Sequence, residues 1–137
     1  MGKCINQFKN LLKGKRSSFL KFKRHRPDVG VQQFFEKESS TYSYLLYDQE
    51  TGDGIFIDPV YETYERDLKW IKDLGIKLLY ILETHVHADH ITGASLIKSK
   101  KDIKIVYGSK TGVQGADIYL DDNEILKLGC EKIQALH

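Results

Sequence analysis

Within Glu83-Thr-His-Val-His-Ala-Asp-His90, three imidazoles and one carboxylate fall inside six residues: His85, His87, Asp89 and His90. Neutral imidazole suits zinc, iron, copper or nickel, and a carboxylate adds the anionic character that supports a divalent cation with open positions. In extended chain His85 and His87, two residues apart, point to one side. The spacing favours one metal and admits two. A lone histidine is usually just a surface or core residue, but an H-x-H-x-D-H run is too dense for that reading, so the cluster is taken as a metal site. No Gly-rich phosphate loop, nucleophile elbow or Cys-x-x-Cys accompanies it.

Such ligands need rigid support. Leu78 to Leu82 (LLYIL) is a continuous apolar run directly before the cluster and reads as a buried strand covered on both faces. Thr92 to Lys100 reads as a helix after it, with Asp89 and His90 turning as that helix begins and its start favouring negative charge at Asp89. The cluster therefore sits at the C-terminal end of a strand, where open α/β sheets place their sites. Upstream, Val31 to Phe35 is a short apolar run, and residues 42–57 read as a β-hairpin turning through Asp48 to Gly54 (DQETGDG). Asp58-Pro59 ends the second hairpin strand. From Glu62 the period becomes helical through Tyr64, Leu68, Ile71 and Leu74, with Gly75 as the stop. Downstream, Ile103 to Tyr107, Ile118 to Leu120, Ile125 to Leu128 and Lys132 to Leu136 read as strands. Strands alternating with two helices give an α/β layered body. Tyr42, Tyr44, Tyr47, Trp70 and Tyr80 are expected in core or interface.

The chain has 137 residues, 21 Lys+Arg and 19 Asp+Glu, for a net charge of +2. That sum conceals an asymmetry. Residues 1–27 hold nine Lys/Arg and no acid, so the remainder holds twelve against nineteen acids, and the two parts carry +9 and −7. Residues 1–27 form a basic arm, transit-like or disordered, and residues 28–137 a separate body. Ile5, Phe8 and Leu12 recur at helical spacing within the arm, which suits an anionic membrane surface, an import receptor or nucleic acid. Six of the nine basic residues are Lys and alanine is absent, so the match to a transit peptide is partial. No apolar centre marks a secretory signal, and no apolar run reaches the ~18–20 residues of a membrane span. Cys4 and Cys130, far apart in sequence, read as inert reduced thiols.

The cluster resembles the H-x-H-x-D-H segment of the metallo-β-lactamase superfamily. The wider text resembles its persulfide dioxygenase branch in Thr41-Tyr-Ser-Tyr-Leu-Leu, Phe56-Ile-Asp-Pro-Val60, the Glu62-to-Gly75 helix, Thr84-His-Val-His-Ala-Asp-His-Ile-Thr-Gly93 and Gly112-Val-Gln-Gly-Ala-Asp117. The Ala-Asp-His-Ile-Thr-Gly extension favours this branch over the glyoxalase II thioesterases. The resemblance covers roughly Val31 to His137 and implies the first half of an αββα sandwich. It further implies a non-haem Fe(II), one per complete domain, oxidising glutathione persulfide to sulfite. His85 is the implied iron ligand. His87, Asp89 and His90 match positions that bind metal in dinuclear relatives and otherwise shape the surroundings of the iron. Asp58 is implied as a residue that orients the site.

Two further ligands of the family, a His in a T/S-P-G-H segment and an Asp in a G-D segment, have no counterpart here, and His137 is not the missing one. The expectation is a truncated chain, inactive alone, with an apolar sheet face left for a partner, a homodimer being one way to cover it. The alternatives are a zinc-dependent thioester hydrolase of the glyoxalase II kind and a non-enzymatic fragment that binds through its arm. A cytoplasmic or mitochondrial matrix setting is expected, without secretion and without a nucleic-acid partner.

Overall fold

A computed structural model describes residues 28–136, so the readings made on the basic arm, Cys4 and His137 lie outside the described residues. Strands β1 (Val29–Glu36), β2 (Thr41–Asp48) and β3 (Asp53–Ile57) run as an antiparallel meander, with Gln32 opposite Leu45 and Leu45 opposite Phe56. A 3-10 turn, Tyr61–Thr63, leads into helix α1 (Tyr64–Asp73), and β4 (Lys77–Leu82) then returns parallel to β3. Helix α2 (Ala94–Lys100) connects β4 to the parallel strand β5 (Lys104–Gly108), and β6 (Ile118–Leu120) pairs parallel to β5. The six strands lie in chain order, while β7 (Ile125–Leu128) and β8 (Glu131–Gln134) make a separate hairpin. Among the described residues no helix is long and apolar enough to cross a membrane.

The hairpin over residues 42–57 forms as the turn chemistry predicts, and Gly75 ends the first helix at φ +69°, a conformation that costs other residues a clash at Cβ. Three layers result. Both helices cover one face of the sheet, where Phe34, Leu45, Phe56, Ile71, Ile81, Ile97 and Ile105 make one core. The β7–β8 hairpin covers part of the other face, where Leu126 and Leu128 pack on Ile55, Val106 and Leu120. Each fully buried Ile, Leu or Phe contributes about 1.5–3 kcal/mol, and the two clusters clamp β3, β4 and β5 between them.

Beyond the hairpin, the second face stays open. Val31 and Phe35 on β1 and Tyr42 on β2 are exposed, with the Phe35 and Tyr42 rings 4.8 Å apart. Burial of β4 on both faces is correspondingly incomplete: Leu78 and Ile81 are buried, whereas Leu79, Tyr80 and Leu82 are only partly covered. Trp70, expected in core or interface, is half-exposed, its ring edge against Phe34 at 6.4 Å. The apolar stripe of α1 is satisfied by Ile71, which leaves Trp70 at its margin.

Candidate metal centre

The cluster begins where β4 ends. Glu83 N–H still donates to Val106 O (3.0 Å), and Asp58 N–H at the end of β3 donates to Leu82 O (3.0 Å), so both flanks of the strand end are fixed. The chain then leaves the sheet and is caught again at residues 91–93. Tyr61 N–H donates to Ile91 O (2.9 Å), Gly93 N–H donates to Pro59 O (2.8 Å), and Thr92 forms a bridge with Val60. These bonds tie residues 91–93 to Pro59, Val60 and Tyr61, so α2 starts at Ala94 and not at Asp89. Asp89 and His90 are therefore loop residues, and the helix start expected at Asp89 is corrected. A shallow open groove of about 500 Å³ lies beside this neck, lined by Tyr61, Ile91, Thr92 and Leu96.

Between the two pinned ends the imidazoles stack on one another. The His85 and His87 ring centres are 4.2 Å apart, and those of His87 and His90 4.3 Å. Two donor groups result, Asp58 with His85 and His87, and His87 with Asp89 and His90; the ligand atoms within each group lie within 4.8 Å of one another. His85 and Asp89 are exposed, while the side chains of His87 and His90 are 5% and 2% accessible.

Each ring has one nitrogen engaged by the protein. His85 Nδ1 lies 2.8 Å from Thr84 Oγ1. His87 Nε2 lies 2.9 Å from Glu83 Oε2 and 3.1 Å from Asp58 Oδ1, and its Nδ1 is 3.9 Å from Asp89 Oδ1. His90 Nδ1 lies 3.2 Å from Asp89 Oδ1 and 3.3 Å from Thr41 Oγ1. His90 Nε2 is buried and has no hydrogen-bond partner. A buried polar atom without a partner costs about 1–3 kcal/mol, and the imidazole and carboxylate donors around this one suit a divalent metal. The residues present therefore fit a metal ion on the chemistry of the donor set and on this orphaned nitrogen.

The carboxylates behind the rings are differently placed. Asp58, at φ +50°, has its carbonyl held by Ser43 Oγ (2.6 Å). Its carboxylate accepts Thr84 N–H (2.7 Å) and Thr84 Oγ1–H (2.6 Å), which sets the residue preceding His85. Glu83 is buried at 1% exposure. Burial pushes its carboxyl up to about 8; the Thr92 hydroxyl opposes the rise, and the neighbouring Asp58 carboxylate adds to it. Asp89 is held below the ordinary carboxylate range by its own backbone N–H and by His90.

Sequence reasoning gave no role to Glu83, Thr92 or Thr41. Glu83 and Thr92 flank the motif directly, and the signal available was a carboxylate closing an otherwise apolar strand. Thr41 lies about fifty residues upstream of His90 and carried no signal. Asp117, part of the resemblance, stands away from the cluster: it pairs with Lys98 and accepts Ile105 N–H (2.8 Å), which ties α2 to β5. Cys130 is disulfide-bonded, which corrects the reading of it as an inert reduced thiol.

A model described as the metallo-beta-lactamase superfamily matches residues 37–129. The chain is similar to the mitochondrial persulfide dioxygenase ETHE1 of Bos taurus, 43% identical over 102 residues that make up 74% of this chain and 40% of that protein. It is also similar to the cytoplasmic hydroxyacylglutathione hydrolase of Arabidopsis thaliana, 38% identical over 98 residues, covering 70% of this chain and 37% of that one. Among solved structures it is similar to ETHE1 from Myxococcus xanthus, with a TM-score of 0.72 and 36% identity over 76% of this chain and 46% of that chain. The chain spans about two-fifths of the length of these curated relatives.

Proposed function

The chain belongs to the metallo-β-lactamase superfamily, and on that premise we propose that it carries part of the metal centre of an iron-dependent persulfide dioxygenase acting on glutathione persulfide. The observation that carries the proposal is the three-imidazole cluster at the end of β4 with its partnerless His90 Nε2. The 43% identity to a persulfide dioxygenase, against 38% to a hydroxyacylglutathione hydrolase, favours the dioxygenase branch. We take His85 as the first iron ligand, with His87, Asp89 and His90 beside it and Asp58 behind. When bound, iron supplies the redox chemistry with dioxygen.

The protein supplies orientation. Asp58 grips Thr84 through both carboxylate oxygens, and the Thr84 hydroxyl engages His85 Nδ1, so His85 Nε2 is the nitrogen left for the metal. His85 and Asp89 are exposed, which keeps the mouth of the site open to a thiol-bearing substrate. Residues 28–137 would form the metal-bearing unit and residues 1–27 a transit-like arm to the mitochondrial matrix, in keeping with the mitochondrial relative. Two of the three ligands that the resemblance implies have no counterpart among the 137 residues, so these residues alone are expected to bind iron without turnover.

A second reading, zinc-dependent hydrolysis of a glutathione thioester, is favoured by the two donor groups that share His87. Metal content alone does not separate the two, because zinc outbinds Fe(II) at most nitrogen and oxygen sites. Anaerobic titration does. Fe(II) is expected to bind the full chain, and glutathione persulfide to perturb the spectrum of the iron-loaded form. Oxygen-independent thioester hydrolysis by the zinc-loaded chain would replace the dioxygenase reading, and failure to bind Fe(II) would end it.

A further inference from the structure

Cys130 is disulfide-bonded, and the sequence holds one other cysteine, Cys4, near the far end of the basic arm. Asp48 fixes the place where that bond is made. Its carboxylate accepts the Cys130 N–H (2.6 Å), which seats the β7–β8 turn at the end of β2. The arm leaves the body at the same end of the sheet: Val29 pairs with Asp48, and Gln49 N–H donates to Asp28 O (2.9 Å). A bond from Cys130 to Cys4 returns the arm to its own point of exit and closes residues 5–27 into a loop.

The open face of the sheet begins at that point. β1 is an edge strand, and Val31 lies opposite Leu46, which packs with the β7–β8 cluster, so both belong to the face that the hairpin covers only in part. Val31, Phe35 and Tyr42 stand exposed there. The arm carries apolar residues to match, with Phe19, Leu20 and Phe22 nearest to β1 and Ile5, Phe8 and Leu12 nearest to Cys4. Its charge of +9 is complementary to the −7 of the body. Length is sufficient as well: the 23 residues between Cys4 and Asp28 reach about 80 Å when extended, and a path out and back along the 8 residues of β1 takes about 55 Å.

We propose that residues 1–27 are the occupant of this open face, folded back over β1 and β2 and latched there by a disulfide between Cys4 and Cys130. The latch is reversible. A dithiol reductant passes two electrons and two protons to the S–S bond and closes its own disulfide, leaving Cys4 and Cys130 as thiols. Cys130 is partly accessible, so a reductant can reach it. In the latched chain the basic and apolar groups of the arm are engaged with the body; in the reduced chain they are free for an anionic surface or a receptor, and the transit-like role given above belongs to that form. The latch does not depend on the metal-centre reading.

The full chain, oxidised and after dithiothreitol, tests it. On a non-reducing gel the oxidised chain should run as a monomer, and its digest should contain the Cys4 and Cys130 peptides joined, a mass that reduction removes. Trypsin should cut within residues 1–27 at least ~10-fold more slowly in the oxidised chain than in the reduced one, because cleavage follows the population of released arm. Cys4→Ser, which leaves the body untouched, should be cut at the reduced rate with or without dithiothreitol. Val31→Lys combined with Phe35→Lys, both at exposed positions, keeps the disulfide but repels the arm, and should remove most of the ~10-fold protection. A disulfide-linked dimer, or cysteine peptides that are not joined, overturns the latch. Equal cleavage of the oxidised and reduced chains overturns the docking, and full protection in the lysine variant overturns it too by placing the arm elsewhere.

Discussion

Two carboxylates are buried at opposite ends of the same sheet, Asp48 and Glu83, each at 1% exposure. Asp48 ends β2 and accepts backbone N–H groups from Glu50 (2.8 Å), Thr51 (3.2 Å) and Cys130 (2.6 Å). Burial alone would raise its pKa, yet the N–H groups of Cys130, Glu50 and Thr51 together hold it below the ordinary carboxylate range. Glu83 ends β4 and meets a hydroxyl, an imidazole and a second carboxyl, and burial drives it up to about 8. Equal burial thus gives opposite shifts because the partners differ. Asp48 is a knot that ties the β2–β3 turn to the β7–β8 hairpin. Glu83 stands where donors were left for something other than backbone, as expected of a site held ready for a ligand.

The largest effect should come from cutting that knot. Asp48→Ala leaves three backbone N–H groups without their acceptor, and a hydrogen bond to a charged group contributes about 1.5–3 kcal/mol net of solvent, so a loss of at least ~3 kcal/mol is expected in urea unfolding even where water re-enters to satisfy some of the three. Metal affinity should stay at the wild-type value. The opposite dissociation belongs to His85, whose side chain is exposed. For His85→Ala, stability should change by no more than about 0.5 kcal/mol, while Fe(II) affinity falls by at least the ~10–100-fold that supporting residues contribute. If Asp48→Ala weakened metal binding as much as His85→Ala does, the two ends of the sheet would not be independent, and the contrast between them would fail.

Most of the elements were legible before the fold was known. The DQETGDG turn, the helical period from Tyr64 to Leu74 and the run at Leu78 to Leu82 are local signals, and the structure places strands and helices on each. The start of α2 is not at Asp89 because its cause is remote: Pro59, Val60 and Tyr61 tie down residues 91–93. The motif residues were legible as a group by spacing. Thr41 near His90 and the two anchors on His87 Nε2 were not, because a contact across 49 residues leaves no mark in any short window. Nor could composition show that Asp48, one acid in a turn-rich stretch, reaches Cys130 across 82 residues.

A smaller effect probes the knot from its other side. Gly129 lies at φ +59°, and a Cβ there would run into the Asp48 carboxylate and the Thr51 hydroxyl. Left-handed backbone costs an L-residue roughly 1–2 kcal/mol before any clash. Gly129→Ala should therefore lose about 1–2 kcal/mol in the same urea assay, less than Asp48→Ala. In the Asp48→Ala background the carboxylate part of the clash is gone, so the cost of Gly129→Ala should shrink there. Strictly additive losses would show that the two residues do not act as one unit.

The smallest effect concerns a third carboxylate, Glu36, which is partnered like Asp48 but stands at the metal end. It accepts Glu38 N–H (2.7 Å), Ser39 N–H (2.7 Å) and Ser39 Oγ–H (2.6 Å), and the Ser39 hydroxyl reaches Thr41 Oγ1 (2.8 Å), which touches His90 Nδ1. The Ser39 hydroxyl first, and then the two N–H groups, lower its pKa to about 2. The unfolded value is about 4.3, so between those limits the unfolded chain binds more protons. The contribution of Glu36 is therefore complete above about pH 4.3 and is lost as pH falls toward about 2. Glu36→Gln should remove part of this acid slope from the urea midpoint while leaving the neutral-pH midpoint nearly unchanged. An identical slope in variant and wild type would mean that the Glu36 turn is not held by the ionised carboxylate. The resemblance to Asp48 would then be one of geometry only, and backbone-satisfied acids would no longer set the stable part of the molecule apart from its metal-binding part.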